Sequence, residues 1–289
     1  VEHTRTERRI MGSIHHPFIV TLRYAFQSRE KLYMVSHYCR GGELFFHLKR
    51  RRTFSENLVQ FYSAELASAL FHLHNLSIVY RDLKPENILL DDQGHIQLTD
   101  FGLSKEEVTD PTSAKTFCGT PEYLAPEMIL NRHNHAGYGV AVDWWSFGTL
   151  IYEMLTGWPP FYDKNIKRMC EKILAAPLVF PVRIQVSQVA QNLIRGLLTR
   201  DPVKRLRAEH VRAHPFYKDI DWFRLDRKEY KPPFVPNVSS PTDIQYFEQE
   251  FTREVPKLSP EGGGGGGAAK AQGVQALSDA EDENDFEDF

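Results

Sequence analysis

The stretch Tyr80-Arg81-Asp82-Leu83-Lys84-Pro85-Glu86-Asn87 decides the reading of this chain. Asp100 stands eighteen positions after Asp82 and opens Asp100-Phe101-Gly102. Ala125-Pro126-Glu127 closes the segment that follows. Phosphoryl transfer asks little covalent chemistry of a protein. It asks for an aimed hydroxyl, metal ions held on the phosphates, and positive charge where negative charge collects. An Asp, a Lys two positions on and an Asn five positions on supply all three from one loop. Asp100 adds a second metal ligand from another loop.

Working outward, Ile88-Leu89-Leu90 and Ile96-Gln97-Leu98 flank Asp91-Asp92-Gln93-Gly94 and read as a small hairpin between the two loops. Upstream, Leu22 to Phe26 and Leu32 to Tyr38 alternate and read as antiparallel strands, with Gly41-Gly42 breaking the second. Glu43 to Lys49 and Glu56 to Asn75 have helical apolar spacing. Residues 2–12 read as a helix stopped by His16-Pro17. Val142 to Gly157 reads as a long, mostly apolar helix suited to the centre of a lobe. Further helices follow to about His214. After Phe216 the chain reads as aromatic, proline-rich extended segment, then a glycine linker at Gly262–Gly267.

The 289 residues, 42% hydrophobic, suit a large soluble domain with a tail. No apolar run is long enough to cross a bilayer, and the charged segment after Val1 is no signal peptide. Cys39, Cys118 and Cys170 are widely spaced and suggest reduced thiols in a cytoplasmic or nuclear protein, not zinc or a disulfide framework. The net charge is −3, but residues 279–288 hold seven acids and no base, so the remainder is net +4. That balance does not point to nucleic acid.

The tail narrows the reading. Pro232-Pro233-Phe234, the block Tyr246-Phe247-Glu248-Gln249-Glu250-Phe251, Ser259-Pro260 and the terminal Phe286-x-x-Phe289 follow the domain in that order. With Tyr80 before Arg81-Asp82, and Thr116-Phe117-Cys118-Gly119-Thr120-Pro121-Glu122-Tyr123, the chain resembles the AGC group of protein Ser/Thr kinases. The protein kinase B (Akt) and ribosomal-protein kinase branches are the most similar, over residues 1–261. The resemblance implies a bilobal α+β kinase fold, its small β-rich lobe truncated here, with the kinase domain over 1–216 and the AGC tail over 217–289. It implies ATP-dependent phosphorylation of Ser or Thr in proteins, with Mg2+ as cofactor.

Roles carry over residue by residue. Asp82 would orient the acceptor hydroxyl, Lys84 would steady the γ-phosphate, and Asn87 and Asp100 would hold magnesium. Glu7 would pair with the ATP-anchoring Lys. His37 and Cys39 backbone would meet the adenine, with Leu89 beneath it and Glu43 at the ribose. Glu43, Glu86 and Glu153 would bind substrate arginines, and Phe117, Pro121 and Leu124 an apolar residue after the acceptor. Thr116 would be the activating phosphosite with Arg81 as its partner, served by an upstream kinase of the phosphoinositide-dependent type. Ser259, Phe286 and Phe289 would be regulatory. Glu127 would pair with Arg205, and Asp143 would tie the central helix to the catalytic loop.

Two departures stand out. The glycine-rich loop and the Val-Ala-x-Lys strand belong upstream of Val1, so residues 1–289 alone are expected to be inactive. The hinge reads Met34-Val35-Ser36-His37-Tyr38, where the family has a bulky residue at the Ser36 position and Glu at the His37 position; Ser36 should widen the pocket behind the adenine. Blander readings compete: a noncatalytic pseudokinase scaffold, or a small-molecule phosphotransferase, which the peptide-positioning segment Thr116–Glu127 argues against. Lys49-Arg50-Arg51-Arg52 suits a helix C-terminus better than a localisation patch. His133-Asn134-His135 reads as a loop, and the acidic tail as either a disordered end or a docking segment.

Overall fold

The computed structural model of the protein describes residues 8, 10–27, 32–106, 120–130, 139–248 and 252–253. Its first sheet pairs β1 (Leu22–Gln27) antiparallel with β2 (Leu32–Ser36). The second strand ends two residues before Tyr38, where the chain leaves the sheet to form a linker. β3 (Gly42–Glu43) pairs with β5 (Ile88–Leu90), which pairs with β6 (Ile96–Leu98), all antiparallel. Gly42 thus opens a strand as well as interrupting one. β4 (Ile78–Val79) pairs with β7 (Lys105–Glu106).

α1 spans Leu44–Arg51 and α2 spans Glu56–Asn75. Ser55 caps α2, its hydroxyl accepting from the Leu58 N–H at 3.4 Å. α1 starts one residue later than its apolar spacing suggests. Glu43 is its N-cap residue, but the carboxylate makes no capping bond and stays available to the cleft. The basic run Lys49–Arg51 fills the last turn of α1, where cations meet the negative helix end.

α3 (Pro126–Leu130) precedes α4 (Ala141–Thr156). α4 is buried almost all round, which fits its position between α2 and the later helix α6 (Gln188–Leu197), while α5 (Ile166–Ala175) packs against α3. Trp144, Trp145, Phe147, Leu150 and Ile151 are at most 1% exposed. Each such side chain contributes about 1.5–3 kcal/mol relative to leaving it in water. Arg205 is buried against this core and pairs bidentately with Glu127 at 2.6 and 2.8 Å, the contact expected of those two residues. α7 (Ala208–Arg212) follows.

The region after Phe216 departs from the expected extended chain. α8 (Trp222–Asp226) forms there, because Asp221 caps it by accepting from the Phe223 and Arg224 N–H groups. Beyond α8 the chain does run extended, across the back of the site. Gly42 (φ +72) and Gly94 (φ +93) let it approach: a Cβ on either would overlap a tail carbonyl, that of Tyr246 or of Phe234. Among the described residues, no helix is long and apolar enough to cross a membrane.

Candidate active site

The loop after β4 is built on one buried carboxylate. Asp143, in the first turn of α4, is 0% exposed. It accepts from the Tyr80 N–H at 2.9 Å, the Arg81 N–H at 2.8 Å and His74 Nε2 at 2.8 Å. Arg81 has φ +70, a conformation that costs an L-residue roughly 1–2 kcal/mol. The two backbone bonds to Asp143 hold it there, as does Arg81 Nε donating to the Leu103 carbonyl at 2.5 Å. The strain turns the chain so that Asp82 follows at the head of a short 3-10 turn, Pro85–Asn87.

Asp82 is buried, and its two oxygens differ. Oδ2 accepts from Lys84 Nζ at 2.7 Å and from Asn87 Nδ2 at 2.9 Å. Asn87 Nδ2 also donates to the Asp82 carbonyl at 2.9 Å. With both amide hydrogens used on Asp82, the side-chain oxygen of the buried Asn87 is the acceptor left over. The opposite loop mirrors this economy. Asp100 has φ +60 and an exposed carboxylate whose Oδ1 accepts from the Gly102 N–H at 3.2 Å. Tyr80 lies between the two loops and donates to the Thr99 carbonyl. Burial first, then the charges of Asp100 and Asp82, push its phenol well above the ordinary value, so it stays a donor.

The hairpin β5–β6 sets the separation of the two loops. Asn87 precedes it, and its carbonyl accepts from the Thr99 N–H at 3.0 Å. Glu65 of α2, fully buried, accepts from His95 Nδ1 at 2.5 Å and the Ile96 N–H at 2.9 Å. Asp91 holds the turn by accepting from the N–H groups of Gln93 at 3.0 Å and His95 at 2.9 Å.

Beside the loop lies an acidic cleft. Burial, then Glu86 and Glu248, raises Glu43. Burial also raises Glu86, whose Oε2 is buried with no partner. Glu153 is pushed up to about 7, chiefly by burial, with Glu86 and Glu122 adding to it and a hydrogen bond from the Tyr123 hydroxyl opposing it. The linker closes the other side. The His37 N–H donates to the Thr21 carbonyl at 3.0 Å, and the Cys39 carbonyl accepts from the Gly42 N–H at 3.1 Å. Leu89 is half-buried on β5.

The protein kinase domain family matches residues 1–217, and the protein kinase C terminal domain family matches residues 238–289. The chain belongs to the protein kinases, in the AGC group. Its fold is accordingly the bilobal α+β kinase fold. It is 58% identical over 260 residues to Protein kinase 2 of Dictyostelium discoideum, covering 89% of this chain and 53% of that protein. It is 52% identical to Serine/threonine-protein kinase YPK1 of Saccharomyces cerevisiae, over 89% of this chain and 37% of that protein. It is 50% identical to Ribosomal protein S6 kinase 2 alpha of Gallus gallus, over 89% and 34%. The chain thus spans about half the length, or less, of these relatives.

In this kinase Asp82, Lys84 and Asn87 form one hydrogen-bonded group, and Asp100 faces out from the next loop. Glu43, Glu86 and Glu153 share the acidic cleft. Of the apolar residues expected to face a peptide, Leu124 lies in the core at 2% exposure and Pro121 is half-buried. Glu7, Thr116, Phe117, Ser259, Phe286 and Phe289 lie outside the described residues, as do Cys118, the 133–135 loop and the glycine linker. The sequence reading missed Glu122 and Tyr123 as parts of the acidic cleft. It also missed the tail strap: Tyr38 donates to the Asp243 carbonyl at 2.8 Å and stacks on Phe247 at 5.6 Å, and Lys49 meets Glu248 at 3.0 Å. An aromatic-acidic block was visible, but its seat lies some 200 residues earlier in the chain, beyond any local pattern.

Proposed function

We propose that the protein transfers the γ-phosphate of ATP to Ser or Thr in proteins that carry Arg upstream of the acceptor. The observation that carries this reading is the asymmetry of Asp82. Lys84 and Asn87 both hold Oδ2, which leaves Oδ1 for the proton of an incoming hydroxyl. The acceptor oxygen bonds to the γ-phosphorus, the bond to the β–γ bridging oxygen breaks, its electron pair leaves with ADP, and the hydroxyl proton passes to Asp82. Lys84 can turn from Asp82 to the γ-phosphate without leaving the loop. The Asn87 and Asp100 oxygens suit a hard cation, and both are free of internal cations among the described residues. Magnesium held there supplies charge neutralisation on the phosphate oxygens. The linker fits an adenine edge: with the His37 N–H engaged, its carbonyl, which takes only a long 3.8 Å bond from the Cys39 thiol, keeps a lone pair, and the Cys39 N–H remains for a second hydrogen bond, above Leu89.

The acidic cleft supports the preference for Arg. An orphaned, buried carboxylate oxygen on Glu86 is costly until a donor arrives, and a guanidinium brings several in a planar fork. Glu43 and Glu86 suit an Arg three residues before the acceptor, and Glu153, with Glu122, a second Arg further upstream. Phosphate on Thr116 would meet the guanidinium nitrogens of Arg81 that do not bond Leu103, which makes an upstream kinase of the phosphoinositide-dependent type the natural activator.

The test is peptide-array phosphorylation by the full-length protein and its Asp82→Asn variant. Basic-directed Ser/Thr phosphorylation by the wild type, falling roughly 10²–10⁴-fold in the variant with ATP binding kept, is expected. Binding of ATP and peptide without turnover would favour the noncatalytic scaffold. Acidic or proline-directed preference would refute the role of the cleft.

A further inference from the structure

Among the described residues, Arg52, Ser77, Arg81, Asp100 and Lys228 are the non-glycine residues with positive φ. Arg81 and Asp100 belong to the catalytic loops. Lys228, with φ +53, does not: it follows α8, far along the chain. Its N–H donates to the Leu225 carbonyl at 2.8 Å and closes the helix. Glycine does that at lower cost, and is the usual residue there. A lysine in this conformation invites the question of what its side chain does.

The side chain reaches two places, and both lead to the same hairpin. Lys228 Nζ meets Asp91 Oδ2 at 3.1 Å, while Asp91 Oδ1 holds the turn N–H groups of Gln93 and His95. The ammonium also lies 5.8 Å over the ring of Phe18. The Phe18 carbonyl accepts from the Leu98 N–H at 2.8 Å, and the Leu98 carbonyl accepts from the Val20 N–H at 2.9 Å. Turn and stem of β5–β6 are therefore tied to one tail lysine. The stem ends at Asn87 and Thr99, which are bonded to each other, and Asp100 is the next residue. Strand pairing allows no gradual slip, so a secure turn fixes the register at the stem.

We propose that Lys228 is a positioning residue for the cation-binding pair Asn87 and Asp100. It fixes the Asp91 carboxylate on the turn and Phe18 against the stem, and the hairpin delivers that order to the two oxygens. The inference rests on the reading of Asn87 and Asp100 as cation ligands.

The experiment titrates Mn2+ into the full-length protein with ADP bound, following free Mn2+ by its paramagnetic resonance. Wild type is compared with Lys228→Met, Lys228→Gly and Lys228→Arg. Met and Gly should each weaken Mn2+ roughly tenfold, at the low end for residues that orient metal ligands, with metal-free ADP affinity unchanged. Arg should restore most of the loss. Gly is decisive, because it relieves the backbone strain: were Lys228 only a helix stop, Gly would raise Tm and leave Mn2+ affinity alone. Amide exchange at His95 and Thr99 should quicken in the Met and Gly variants. Wild-type Mn2+ affinity in either variant overturns the proposal. A wild-type protein that binds ADP but no Mn2+ removes the ligand reading itself, and the proposal with it.

Discussion

Replacing Asp143 by Asn tests the geometry of the catalytic loop without touching a substrate. Asp143 is fully buried and accepts three hydrogen bonds, two of them from the adjacent N–H groups of Tyr80 and Arg81 on different oxygens. Asn keeps the shape but replaces one acceptor by an NH2 donor. One backbone N–H must then face another donor. Losing one bond to a charged acceptor costs about 1.5–3 kcal/mol. The Arg81 backbone strain, about 1–2 kcal/mol, is no longer held by both bonds. Together these reach about 2.5–5 kcal/mol, and even at about 3 kcal/mol the present form of the loop loses roughly 10²-fold in weight against relaxed forms. Turnover should fall by about the same factor, with little change in peptide KM, because Glu86 and Glu153 sit outside the affected bonds. Chemical denaturation should show a destabilisation of about 3 kcal/mol or less, since a relaxed loop recovers part of the loss. The assay is steady-state phosphorylation alongside a urea melt. Turnover within threefold of wild type, in a variant that is measurably destabilised, would refute the link between Asp143 and loop geometry.

The acidic cleft should make substrate affinity depend on pH. Glu153 titrates near 7 in the free protein, and only its ionised form binds a guanidinium well, so KM for a peptide with the upstream Arg should rise as pH falls through about 7. Glu153→Gln should flatten that profile; an unchanged profile would place the titrating group elsewhere. By linkage, the raised pKa means the folded state holds the proton that the unfolded chain loses above about 4.5, so the free protein should lose stability from that group between about pH 4.5 and 7, and bound peptide should offset the loss. Ser36, the last residue of β2, should admit an ATP-competitive inhibitor carrying a bulky aromatic group: Ser36→Met should weaken that inhibitor at least tenfold and spare ATP, whereas equal affinity would mean neighbours already fill the space.

Much of the site was legible because its chemistry is local. Asp82, Lys84 and Asn87 lie within one turn-and-a-half of chain, and their contacts follow from that spacing. The hairpin β5–β6 and the helices α2 and α4 carry their periodicity in contiguous residues. Even the distant pair Glu127 and Arg205 could be expected, though only through family resemblance. What stayed hidden was long-range or conformational. Nothing in the residue pattern marks Lys228 as left-handed, or Asp91 as its partner. Glu122 carried no assigned role within its motif, and only the fold brings its charge to bear on Glu86 and Glu153. α8 was missed because the aromatic run after Phe216 reads as extended chain, and a single capping carboxylate, Asp221, decided it.

The tail strap has a consequence for how the protein is made. Tyr38 and Gly42 are synthesised about 200 residues before Asp243 and Tyr246, which cover them. At cellular elongation rates that interval is on the order of 10–40 s. Throughout it the nascent linker has its own neighbours but not its strap, and Tyr38 presents an open aromatic face on the ribosome. The catalytic lobe can complete its core in that time, since α4 and its partners precede α8. The linker therefore reaches its final form only once the tail has emerged, long after its own residues were made.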